Sequence, residues 1–365
     1  MSRVDFGVLF NSETCRFHLN NFKDHDSKEW GVYGDPAYFL KFKHPKNVAV
    51  LHWPYPADPA FGELVDSIYN DCEQIFITIT EVHRPAIEFM QTYDREKIIY
   101  YIAGSVSVPL QHAKLLVYHD WFHTSSFFYR EYLPEILHRI EYKTPKDHAF
   151  DVLLGRKKTH RDFAYNYIQE NLRDSDYIMR YFNNVEPILY EDEDHWTFEQ
   201  RGVKSDGPKK WTVETIEYYG HRISMSQVLP VEIYNKTAYT LVAETSAENF
   251  YTFFTEKTAK PIIARRLFVM IAGRGYLAEL RRLGFKTFDG IIDETYDTIE
   301  NPIDRYDSAM KQVDWLCQQD QATILEKVMP IVEHNFKVMM ATNWYYNFNN
   351  DLESRIGPLA EQTRR

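Results

Sequence analysis

The sequence predicts an α/β protein built on parallel sheets, and three observations carry that expectation. From Asn47 onward, short apolar runs alternate with segments of helical periodicity, the pattern of strand–helix–strand units. The stretch from Leu241 to Asp297 reads as strand, polar loop, helix, strand, glycine turn and helix. A polar segment containing a proline, Tyr142 to Asp147, separates one such series from the next. At 365 residues the chain is long enough for two domains of ordinary size. The expected division is a Rossmann-like domain over 1–145, a second over 146–310, and a helical segment over 311–365.

Residues 1–46 are mixed, with Val4 to Phe10 as a possible first strand. Val48 to Trp53 reads as a buried strand before the proline-rich turn Pro54 to Pro59. Phe61 to Asn70 suits a helix, with Phe61, Leu64, Val65 and Ile68 on one face. Strands follow at Ile75 to Thr80, Ile98 to Ala103 and Leu115 to Tyr118, with a short helix at Pro85 to Tyr93. Beyond the linker, the strand Ala149 to Leu154 runs into Gly155-Arg156-Lys157-Lys158-Thr159-His160-Arg161 and a helix from Asp162 to Leu172. Residues 183–211 are polar and read as a surface insertion or hairpin. Ala309 to Leu352 is strongly helical and rich in aromatics.

Composition excludes several classes. Lys and Arg number 42 against 53 Asp and Glu, a net charge of −11, which makes free nucleic acid a poor default partner. Three cysteines, at 15, 72 and 317, have no metal-ligand spacing and an odd count, so free thiols in a reducing compartment are expected. The opening residues hold no apolar run of signal-peptide length, and eighteen apolar residues nowhere run together, so a soluble cytoplasmic protein is the expectation. Aromatics make up 16% of the chain, which serves core packing and also offers stacking surfaces for sugars and bases.

Polar chemistry concentrates at Glu244, Glu248, Thr255, Glu256, Lys257 and Lys260, between the apolar runs Tyr239 to Ala243 and Leu267 to Ala272. In parallel sheets, ligands sit at the carboxyl ends of strands, where these residues fall. Glu256 can accept two hydrogen bonds from a ribose diol, and Lys257 can neutralise a phosphate. The free amides of a helix starting near Glu256 favour an anion. Gly273-Arg274-Gly275 after the second run would let backbone approach a diphosphate, although the third glycine of a dinucleotide fingerprint is missing. The stretch therefore suits a sugar nucleotide, GDP- or UDP-linked, as donor substrate.

These residues resemble the donor-binding half of GT-B glycosyltransferases, and most closely the α1,3-fucosyltransferase family. The family's Phe-Glu-Asn-Ser, Ile-Thr-Glu-Lys, apolar strand and tyrosine-containing loop have counterparts here. They are Ala243-Glu244-Thr245-Ser246, Phe254-Thr255-Glu256-Lys257, Phe268 to Ala272, and Tyr276. About sixty residues carry the likeness closely. Thr245 stands where the family has Asn, and the spacer between the two Glu is longer. The resemblance implies two Rossmann-like domains facing a cleft, with a C-terminal helix crossing back to the first. It also implies an inverting, metal-independent sugar transfer to an acceptor hydroxyl. The acceptor could be a carbohydrate, a lipid-linked sugar, a protein or a modified nucleic acid.

An arginine opening the second domain holds the diphosphate in that family. Arg156 and Arg161 are the candidates, since growing negative charge on the leaving group needs fixed cations. Inversion needs a general base, for which Glu81 and then Asp120 are the candidates, each directly after an apolar run in the first half. Glu248 and Glu256 also have the spacing of a Glu pair found in some retaining enzymes. His119 and His123 have metal-ligand spacing but lack a third ligand nearby, so packing is expected of them. The Asp-x-Asp pairs at 24/26, 174/176 and 192/194 keep open a metal-dependent GT-A alternative, built on Asp192 and Asp194. A non-catalytic carbohydrate- or protein-binding module is a further alternative.

Overall fold

A computed structural model describes residues 48–53, 60–70, 72, 74–79, 81–131, 133–182, 196–197, 215–218 and 221–341. The chain divides into two compact units, whose described parts meet at Tyr118 and His119 in sequence. Val4 to Phe10, Asp24, Asp26, Asp192, Asp194 and the tail beyond 341 lie outside the described residues.

The first unit holds a parallel sheet of β1 (Val48–His52), β2 (Gln74–Ile79), β3 (Ile98–Ile102) and β4 (Lys114–Val117), ordered as in the chain. Helices α1 (Ala60–Tyr69) and α2 (Arg84–Thr92) provide the first two crossovers. Strands β2 and β3 are almost wholly buried, as near-continuous apolar runs are in a covered parallel sheet. Trp53, Phe61 and Phe89 pack ring against ring at 4.8–5.4 Å beside β1.

The second unit opens with α3 (Asp120–Glu131), a helix the sequence reading left unassigned. Strand β5 (His148–Arg156) leads through α4 (Thr159–Asn171) to β6 (Tyr177–Phe182). A small antiparallel sheet follows, of β7 (Trp196–Thr197), β8 (Thr215–Tyr218) and β9 (His221–Ser224). Then come α5 (Val231–Lys236), β10 (Thr237–Ala243), α6 (Glu256–Ile263), β11 (Phe268–Ile271) and α7 (Tyr276–Arg282). The main sheet has the order β11-β10-β5-β6, all parallel. The chain thus goes from β5 outward to β6, then returns to pair β10 on the other side of β5. That reversal defines a switch point between β5 and β10, the place where open α/β sheets take ligands.

Every residue of β10 and β11 is buried. Beneath them, Arg266 donates to Asp151, Thr240, Thr237 and the carbonyls of Tyr234, Thr237 and Tyr239. One guanidinium thereby ties β5, α5 and β10 together.

The segment expected to be helical over 309–352 is, where described, two helices, α8 (Pro302–Cys317) and α9 (Gln321–Ala341). The reason is local. Asn301 caps α8 with Pro302 at its first position, and the Asp320 carboxylate accepts the Thr323 amide at 2.8 Å to start α9. Helix α8 packs on β11, and α9 packs on α6 and α3. No helix among the described residues is long and apolar enough to cross a membrane.

Candidate functional site at the strand reversal

Two loops meet at the carboxyl end of β5 and β10. The first follows β5 and enters α4; the second runs from Glu244 to Thr255 and enters α6. Lys158 Nζ donates to the Thr245 carbonyl at 2.6 Å, and Arg161 Nη2 donates to the Glu244 carbonyl at 3.0 Å. Lys257 Nζ reaches the Thr245 hydroxyl at 3.2 Å and the Glu256 carboxylate at 2.5 Å. Two cations therefore meet the 244–245 backbone, and a third meets the Thr245 side chain.

His160 sits among them, buried, with Nε2 2.7 Å from the Glu244 carbonyl. A carbonyl only accepts, so Nε2 carries the proton. Burial, reinforced by the charges of Arg161, Lys158 and Lys257, pulls this imidazole down to about 3. Burial first, and the neighbouring cations second, keep this histidine neutral.

Glu256 and Lys257 are not a solvated pair on a helix surface. The Glu256 side chain is 7% exposed and that of Lys257 24%. Burial pushes the Glu256 carboxyl up, but Lys257 and Lys260 outweigh it and hold the group below its usual range. Lys260, one turn along α6, is half-buried, and burial pushes its amine down to about 8 against the pull of Glu256. Thr255 caps α6 by accepting the Lys257 amide.

Glu244 has a different office from the one its position in sequence indicates. It is fully buried, and its carboxylate accepts from the Thr245 amide, the Thr255 amide and hydroxyl, the Thr258 hydroxyl and the Tyr276 hydroxyl, at 2.6–3.0 Å. A carboxylate has roughly four lone-pair sites, so five donors leave no capacity for a ribose. Tyr276 is buried in the same network, its hydroxyl pushed well above the ordinary range by burial and by Glu244. These two residues fix the start of α6 against β10.

The glycine turn is likewise filled from within. A β-carbon on Gly273 would lie 2.2 Å from the Glu248 carbonyl, so the glycine lets the 244–255 loop close on β11. Gly275 takes a positive φ of 79° to open α7. The free amides there, on Leu277 and Ala278, already bind the Asp297 carboxylate at 3.0 and 3.1 Å. Asp297 holds the place that a diphosphate would take at this helix end.

Of the remaining candidates, Arg156 ends β5, with its side chain outside the described residues. Asp120 begins α3 in the second unit, and its side chain is also outside them. Glu81 lies in the first unit just beyond β2, exposed, 3.7 Å from His83 Nε2. His119 and His123 are buried, His119 against Phe254 at 4.7 Å, which is the packing role expected of them. Among the described residues no group of three His, Cys, Asp or Glu side chains could hold a metal ion.

Lys158 and His160 escaped the sequence reading. Their signal was position, in the first turn after a strand that begins a parallel series. A cavity of about 560 Å³ in this unit, lined by Arg281, Phe285, Lys286, Thr287, Glu294 and Ile331 among others, includes none of the candidate residues. No protein-family model matches the chain, and a search of curated proteins gives no match.

Proposed function

We propose that the second unit binds a nucleotide-diphosphate sugar and that the chain is a glycosyltransferase of the GT-B kind, transferring the sugar to an acceptor hydroxyl. The observation that carries this reading is the convergence of Lys158, Arg161 and Lys257 on Glu244 and Thr245 at the strand reversal, the first two on their carbonyls and the third on the Thr245 hydroxyl. A diphosphate leaving group gathers negative charge as the glycosidic bond breaks, and fixed cations beside it stabilise that charge without reorganising. Lys257 and Lys260 would face the phosphates from α6, with Arg161 and Lys158 opposite, so that protein cations do the neutralising. Glu256, ionised beside Lys257, would accept the ribose hydroxyls.

Calorimetric titration with GDP and UDP tests the reading. One of them should bind the unaltered protein, and Lys257→Ala should weaken it by about tenfold or more, the worth of one charge-assisted hydrogen bond. Sugar nucleotides on that base should then be turned over, if only by slow hydrolysis. Failure of both nucleotides to bind, or equal binding by Lys257→Ala, would overturn it.

A further inference from the structure

Beyond Arg161 the polar edge of the second unit continues. Asp162, the next residue of α4, turns toward β6, where its carboxylate accepts the Tyr181 hydroxyl. Lys157 lies 3.8 Å from the other carboxylate oxygen. The ring of Tyr181 leans on that of Tyr165, with centroids 5.2 Å apart at 38°. All three side chains are half-buried, and the Asp162 side chain keeps 35% of its surface open. Contacts along the carboxyl end of the sheet run from Glu256 to Lys257, to Thr245 and to Lys158. Arg161, on the adjoining Glu244 carbonyl, is followed in α4 by Asp162, which meets Tyr181 and through it Tyr165, so the two groups stand in order across the strand ends.

The chemistry changes along that order. At one end a buried carboxylate is paired with lysines, in the middle stand cations, and at the far end a more open carboxylate, with Lys157 3.8 Å away, takes the hydroxyl of a tyrosine whose ring leans on a second. The far end has what a pyranose requires. Vicinal hydroxyls donate to a carboxylate, and the ring's C–H face lies against an aromatic surface and leaves water. The order of a sugar nucleotide is base, ribose, diphosphate, sugar. With ribose at Glu256 and phosphates at the cations, the sugar falls at the far end.

We infer that Asp162, Tyr181 and Tyr165 form the subsite for the donor's sugar, with Asp162 accepting its hydroxyls and the tyrosine rings covering one face. The inference rests on the donor reading above, because only a nucleotide held by the cations sets the direction of that order. It makes Tyr181 a specificity residue as well as a support, since its hydroxyl holds the carboxylate in place.

The experiment compares two kinds of ligand on three proteins. UDP and GDP, and then UDP-glucose, UDP-N-acetylglucosamine, GDP-mannose and GDP-fucose, are titrated into the unaltered chain, Asp162→Asn and Tyr181→Phe. Both substitutions keep shape, and thermal unfolding checks that each variant is folded. The expected result is that the free diphosphate binds all three proteins within about twofold, while the preferred sugar nucleotide binds Asp162→Asn about tenfold more weakly. Tyr181→Phe should show a smaller loss in the same direction. Equal binding of the sugar nucleotide by all three proteins would overturn the subsite and leave the diphosphate reading standing. Failure of UDP and GDP to bind the unaltered protein would remove both.

Discussion

Arg266 Nη2 lies 2.7 Å from Asp151 Oδ1 in the closed interior of the second sheet, with both side chains at most 1% exposed. Burial raises the Asp151 carboxyl, and the guanidinium opposes the rise. Removing one member strands the other charge away from water. Arg266→Ala should therefore lower stability by about 3–5 kcal/mol. The double substitution Asp151→Ala with Arg266→Met should recover part of that, because no unpaired charge remains. Urea denaturation of the set measures both, and equal losses in single and double variants would contradict the pairing.

Glu244 accepts from two backbone amides and three hydroxyls. Glu244→Gln sets its NH2 group against a backbone N–H that can only donate, Thr255 at Oε1 or Thr245 at Oε2. A loss of about 2 kcal/mol is expected, within the range for an unsatisfied buried polar group. Nucleotide affinity should fall with it, because α6 is no longer fixed on β10. A stable variant with unaltered stability and affinity would show that the network is dispensable.

Acid should destabilise the fold through its histidines. His119 and His160 are held down to about 3 by burial, and His123 well below its usual 6.5. The unfolded chain takes up these protons near 6.5 while the folded chain does not. Stability is complete above that pH and declines as pH falls from there toward 3. The slope approaches about 1.4 kcal/mol per pH unit for each histidine. His119→Phe, set beside Phe254, should flatten the urea-midpoint profile between pH 6.5 and 5.

Lys260 gives the opposite test, on binding. Its amine is charged below about 8 and neutral above. Affinity for a nucleotide diphosphate should weaken as pH rises through that value, and Lys260→Met should bind weakly with a flatter profile. A wild-type profile that is flat from pH 7 to 9 would remove Lys260 from the phosphate site.

Arg265 has a left-handed backbone, φ 56°, and its guanidinium lies over Phe336 at 3.4 Å and Tyr142 at 4.8 Å, with Glu333 at 3.3 Å. Alanine there loses the ring contacts, worth about 0.5–2 kcal/mol, and keeps the strained backbone. Glycine loses the same contacts but relieves roughly 1 kcal/mol of strain. Arg265→Gly should therefore unfold at a higher temperature than Arg265→Ala, the reverse of the usual order in helices.

The alternation of strands and helices was legible because parallel strands buried on both faces are continuous apolar runs, as at 98–102 and 268–271. Strand β10 was read from Tyr239, although it begins at Thr237. Thr237 and Thr240 are polar, and Asp151 and Arg266, both distant in sequence, account for their burial. Helix α3 carries aromatics and serines on several faces and so showed no period. Glu256 and Lys257 were singled out from residue type and place in the chain. Glu244 was singled out too, but its hydrogen-bond partners were not legible, since four of its five donors come from residues 255–276. The partners of Asp162 were equally hidden, because Tyr181 meets it only once β6 is laid beside β5.

The excursion that creates the reversal also has a cost during synthesis. The ribosome releases β5 and β6 well before β10, with roughly fifty residues between, or about 3–10 s at ordinary elongation rates. Throughout that interval the inner flank of β5, later the middle of a sheet, is an open hydrogen-bonding edge lined with valine, leucine and phenylalanine. A nascent chain stalled between Phe182 and Thr237 would present that edge to its neighbours, and chaperone engagement would be expected to peak there.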